Sequence, residues 1–161
     1  MSNRRTSDQD AQASETLKLE SALTYRLHTI NKLGDRDTNR AYTQEFGLSL
    51  GEGRCLAAIG RFEPVSVNDL ARASNLDKGH ASRSAQALVE RGLVRKAVSE
   101  QDGRGVVLTL TASGQQTYEQ VLTMIARRNR EIFGCLSGEE QARLGEMLER
   151  VIAGLRQNAG A

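Results

Sequence analysis

Residues 93–110, LVRKAVSEQDGRGVVLTL, decide the fold. Leu93–Val98 and Val106–Leu110 are short, apolar and β-branched, which is strand chemistry. Between them, Asp102-Gly103 and a second glycine, Gly105, supply the positive φ that a tight hairpin needs. Upstream lies a helix pair. Ser66 caps a short helix, Val67–Ala73, with Asp69 as an acidic partner three residues on. Asn75-Leu76-Asp77 turns the chain, and Asp77 caps Lys78–Arg91, whose inward positions are Ala81, Ala85, Leu88 and Val89. Gly92 stands at C′, with Leu93 as the hydrophobic contact beyond it. Two helices joined by a tight turn and followed directly by a two-stranded hairpin make a winged helix-turn-helix. The expected fold class is mainly α, a winged helix flanked by N- and C-terminal dimerisation helices.

Working outward, Ser49 and Glu52 form a capping box for a helix with Cys55, Leu56 and Ile59 inside, ended by Gly60 and Pro64. Val65 is then a short extended step. Before it, Leu19, Ala22, Leu23, Leu27, Ile30 and Leu33 recur at helical spacing from Thr16 onward. A polar interval, Asp35 to Asn39, separates them from Ala41, Tyr42 and Phe46. Beyond the hairpin, Thr111 caps a helix from Ala112 to Gly134, 23 residues or about 35 Å long. Ser137 and Glu140 box a last helix with Leu144, Met147, Leu148, Val151, Ile152 and Leu155 on one stripe. The divisions are a disordered tail (1–15), an N-terminal dimerisation region (16–48), the winged helix (49–110) and C-terminal dimerisation helices (111–157). The end helices could close an intramolecular bundle. They carry more apolar surface than the small winged helix can bury, so a homodimer is expected.

Composition excludes several classes. The chain has 161 residues, one proline, two cysteines and a net charge of +2. Cys55 and Cys135 are too few for a disulfide framework or a zinc site. Mean hydropathy is −0.48, with no long apolar run and no apolar stretch after Met1–Thr6. A soluble cytoplasmic protein with no membrane partner follows. No phosphate loop, metal-ligand cluster or nucleophile–base spacing is visible, so neither an enzyme nor a cofactor is expected.

Charge distribution says more than the total. Between Arg54 and Arg104 there are nine basic and six acidic residues. On the second helix the outward face carries Lys78, Gly79, His80, Ser82, Arg83 and Gln86. Arg83 suits guanine O6 and N7, and Gln86 suits adenine N6 and N7. Lys78 and His80 sit in the first turn, where free N–H groups also favour phosphate. Arg104, between two glycines, can enter a minor groove, with Asp102 orienting it. Ser66 could cap and touch phosphate at once. Of Arg95 and Lys96, which alternate faces, only one can point to DNA, and Arg95 is the expected contact. The bland reading of each residue is an ordinary solvent-facing group; on one face of one helix they favour DNA.

These features resemble the MarR family of bacterial transcription factors. The resemblance rests on Leu76-Asp77-Lys78, Ser82-Arg83, Leu88 to Arg95, the wing Asp102-Gly103-Arg104-Gly105, and Leu108 to Gly114. It covers residues 16–157. It implies a homodimer on a palindromic double-stranded operator, and repression relieved by a small-molecule effector (often a phenolic or aromatic carboxylate) or by cysteine oxidation. Ser82, Arg83, Asp102 and Arg104 match the family pattern, whereas Gly79 and His80 replace its small hydroxyl residues, which bears on the target sequence. Tyr25, His28 and Cys55 are effector candidates by position. A cysteine-based redox regulator of the same fold, and a dimeric protein-interaction module without DNA binding, are the alternatives.

Overall fold

The computed structural model describes residues 18–99 and 105–159. The tail at residues 1–15 and the wing tip, with Asp102 and Arg104, lie outside them. After a single 3-10 turn, Leu19–Ser21, the elements are α1 (Leu23–Phe46), α2 (Leu50–Phe62), β1 (Val65–Ser66), α3 (Val67–Ser74), α4 (Lys78–Glu90), β2 (Val94–Val98), β3 (Val106–Leu110), α5 (Ala112–Phe133) and α6 (Gly138–Ala159).

Local chemistry sets most boundaries. Ser49 Oγ accepts from the Glu52 amide at 3.2 Å, and Glu52 accepts from the Ser49 amide at 2.6 Å, closing the box that starts α2. Ser66, Asp77 and Thr111 cap α3, α4 and α5 by accepting from the amides of Asp69, His80 and Gly114. Gly92 takes φ +71°, and the Leu93 amide donates to the Leu88 carbonyl at 3.0 Å. That bond is the 6→1 closure of a Schellman ending. Ser137 and Glu140 exchange the reciprocal bonds that open α6.

The sheet is antiparallel in the order β1-β3-β2. Val65 pairs with Leu108, Val94 with Leu110, and Lys96 also with Leu108. The core lies under it. Leu56 and Ile59 of α2, Leu70 of α3, Ala81 and Leu88 of α4, Leu108 of β3, and Val121 of α5 are fully buried. Removing a core side chain such as Leu88 to Ala would cost about 2–5 kcal/mol.

One expectation, at Gly60, is corrected, and two are extended. The polar interval at Asp35–Asn39 does not break α1, which runs through it. Asp35 accepts from Arg54 of α2 at 2.6 Å, and Arg128 of α5 donates to Thr38 at 3.4 Å, so the interval is where α1 meets its neighbours. Gly60 does not end α2; a Cβ there would lie 2.5 Å from the Tyr118 ring, so the glycine admits that ring. The extended step at Val65 is a paired strand, because β3 presents a free edge to it.

The end helices are amphipathic without cover. No residue of α6 is buried, and Met147 and Leu155 are 51% and 65% exposed. Leu23, Leu27, Ile30 and Leu33 of α1 are exposed as well.

Two predictions test the fold. At Gly114 a Cβ would sit 1.8 Å from the Leu93 carbonyl oxygen, a backbone atom that cannot swing aside. Gly114→Ala should therefore lower the urea midpoint substantially; an unchanged midpoint contradicts the crossing of α5 over the α4–β2 link. The Asp77 carboxyl is held below its usual value, chiefly by the His80 amide. Its folded value lies below the unfolded one, so the cap stabilises above the ordinary carboxylate range and is lost as pH falls through the lowered value. Asp77→Asn should then flatten the acid limb of the stability curve, measured by denaturation at stepped pH. An identical acid limb would show that the charge contributes nothing.

Candidate nucleic-acid interface

Helix α4 presents two faces of opposite character. Ala81, Ser84, Ala85 and Leu88 are buried against α2 and α3. Ser84 is an inward position the apolar pattern missed, because its hydroxyl is polar. Lys78, Gly79, His80, Ser82, Arg83 and Gln86 are all exposed. The structure thus brings the predicted α4 residues onto one open side of a helix capped at both ends.

Their side chains differ in what they already touch. Arg83 folds back one turn, so that a Cβ on Gly79 would lie 3.3 Å from its Nη1. It also lies close enough to Asp77 to help hold that carboxyl ionised. His80 turns the other way. Its Nε2 would meet a Cβ on Gly51 at 2.5 Å, so the ring lies across the first turn of α2. That position departs from the outward DNA contact expected of it. Gln86 donates to Glu90 at 3.0 Å and accepts from Lys96 at 2.7 Å.

The strand residues sort by face. Arg95 donates to Thr109 across the β2–β3 pair at 3.0 Å. It lies on the opposite face of β2 from Lys96, the residue that reaches α4. Arg95, the expected contact, is thus engaged with Thr109, and Lys96 is the strand residue on the α4 side. Period-two alternation separated the two but could not say which faced the helix. Ser66 gives its hydroxyl proton to Asp69 at 2.7 Å. Asp69, whose carboxyl is held down by that bond and by Arg72, would repel a phosphate there. Ser66 is a cap, and its expected phosphate contact has no free donor.

The effector candidates are not brought together. Tyr25 and His28 lie on the exposed first half of α1. Cys55 is fully buried in the core, where burial raises its thiol pKa and the nearby Ser74 and Ser84 hydroxyls partly offset the rise. A buried, protonated thiol is a poor redox sensor. Cys135 is exposed. Neither of two described cavities contains these candidates. One, about 670 Å³, lies beside Phe62, Pro64, Asp69, Arg72 and Arg156. The other, about 340 Å³, is lined by Glu45, Phe46, Arg91, Leu93, Thr117 and Gln120, where α1, α4 and α5 converge. Arg91 there pairs with Glu52 at 3.3 Å, and Arg127 pairs with Glu45.

Among the described residues no group of three potential metal ligands is found, and no helix is long and apolar enough to cross a membrane.

Comparison with known proteins agrees with this geometry. The model of the MarR family matches residues 46–105, from the end of α1 to the wing. The HTH-type transcriptional regulator BilQ of Clostridium symbiosum is 31% identical over 108 residues, 67% of this chain and 75% of that protein. The multiple antibiotic resistance protein MarR of Escherichia coli is 25% identical over 127 residues, 78% of this chain and 88% of that protein. A MarR/EmrR family transcriptional regulator from Acinetobacter sp. ADP1 shares the fold with a TM-score of 0.80, covering 88% of this chain and 99% of that one at 22% identity. An outward basic helix on a winged-helix frame and these relatives lead to one conclusion: the chain belongs to the MarR family of transcriptional regulators, with its winged-helix DNA-binding fold.

Proposed function

We propose that the chain is a cytoplasmic repressor that binds a palindromic operator as a homodimer and is released from it by a small-molecule effector. The observation that carries the DNA reading is the open face of α4, where Lys78, Ser82 and Arg83 stand exposed on a helix seated rigidly behind. Helix α4 enters the major groove, Arg83 reads a base edge, and Arg104 on the wing reaches the minor groove.

Dimerisation is supported by the uncovered stripes. A 22-residue helix with no buried residue is marginal in water on its own. A second copy covers the stripes of α1 and α6 and sets two α4 helices about 34 Å apart, one DNA turn.

Effector binding is best supported at the 340 Å³ cavity. It lies between α1, α5 and the end of α4, and holds the Arg91 cation beside apolar Phe46 and Leu93. An anionic ligand there competes with Glu52 for Arg91, the residue that caps the C-terminus of α4.

A gel shift on DNA flanking the chain's own gene, with excess nonspecific competitor, tests the DNA reading. Arg83→Ala should lose roughly 1–3 kcal/mol of operator binding and relax one base position per half-site. Arg104→Ala should weaken binding and reduce the salt slope by about one phosphate equivalent. Unchanged affinity in both variants would defeat the assignment. Val151→Glu with Leu155→Glu should convert a sedimenting dimer into a monomer and abolish tight operator binding. A dimer that survives both charges would place the interface elsewhere.

A further inference from the structure

We propose that Lys96, on the wing strand β2, sets base preference by locking the carboxamide of Gln86 on the recognition helix. This rests on the reading that α4 enters the major groove. Gln86 is held at both ends. Its Oε1 accepts from Lys96 Nζ at 2.7 Å, and its Nε2 donates to Glu90 Oε1 at 3.0 Å. The three groups come from two elements. Glu90 is one turn beyond Gln86 on α4, and Lys96 lies ten residues away on β2, on the face shared with Val94 and Leu108.

The charges fix which end of the amide is which. A cation faces the oxygen and an anion faces the NH2 group. The reverse orientation would set N–H against ammonium and oxygen against carboxylate, with both bonds lost. A free glutamine flips without preference; this one does not.

Each end keeps capacity in reserve. The oxygen has a second lone pair, and the nitrogen a second hydrogen. Gln86 therefore presents one acceptor and one donor in a fixed order. Adenine, with its N6 donor and N7 acceptor, matches such a pair, while guanine offers two acceptors, O6 and N7. Holding the side chain before binding also removes part of the ordering cost at the moment of contact. Exposed polar bonds are weak in water but strengthen when a groove displaces solvent. Lys96 is thus a positioning residue: it acts through Gln86, and its ammonium is committed to that oxygen.

Selection of bound sequences from randomised DNA by the full-length protein, paired with affinity titrations at several salt concentrations, tests the proposal. Lys96→Met keeps the aliphatic stem and removes the ammonium. It should lower adenine preference roughly tenfold at one position in each half-site, the position also lost in Gln86→Ala. Lys96→Arg should retain that preference, and Lys96→Met should add nothing in a Gln86→Ala background. If Lys96→Met instead weakens binding equally on all sequences and lowers the salt slope by about one, Lys96 is a phosphate contact and the proposal is overturned. An unchanged logo and affinity overturn it too. A parent protein that selects no sequence removes the α4 reading beneath it, an outcome distinct from a logo that survives Lys96→Met.

Discussion

The close approach of α4 to α2 is the constraint on which the rest depends. The inward face of α4 is built from small residues, Ala81, Ser84 and Ala85, with Leu88 as the large anchor. Opposite, a Cβ at Gly51 would fall 2.5 Å from His80 and 2.9 Å from Ser84. A methyl group there would require the His80 ring and the Ser84 hydroxyl to shift. Nearby, the buried Cys55 of α2, Ser74 of α3 and Ser84 of α4 lie close together where the three helices meet. Packing this tight leaves α4 one position, and the outward residues inherit it. The exposed His80 ring lies against the same first turn of α2.

A second consequence is that the ends of α4 are tied to different parts of the molecule. Its start is fixed locally by Asp77. Its end reaches outward through Arg91, which pairs with Glu52 in the first turn of α2 and lies beside Gly47 at the end of α1. Glu52 also accepts from the Ser49 amide. One carboxylate thus joins the cap of α2 to the cap of α4. The cavity lined by Phe46, Arg91 and Leu93 adjoins this pair.

Much of the fold was legible because it is written in local chemistry. Caps at Ser49, Ser66, Asp77, Thr111 and Ser137, and the glycine stop at Gly92, need only residues three or four apart. The two long strands announced themselves by composition. What was hidden depends on partners distant in sequence. The role of the polar run at Asp35 was hidden because Arg54 and Arg128, which meet it, are 19 and 90 residues from their partners. β1 is two residues long and exists only because β3 offers an edge. At the interface, the exposed side of α4 followed from periodicity. The inward turn of His80, the commitment of Ser66 to Asp69 and the reach of Lys96 to Gln86 did not, since each depends on a rotamer set by a neighbouring element. The apolar stripe of α6 was clear in the sequence, and its exposure is what gives it meaning.

The central claim is that two copies of α4 read DNA together. Hydroxyl-radical footprinting on a selected operator tests it most directly, because it maps backbone protection without presuming which side chains act. The account predicts two equivalent protected blocks on one face of the duplex, centred about 10 base pairs apart. A single block, or protection with no twofold symmetry, would contradict it.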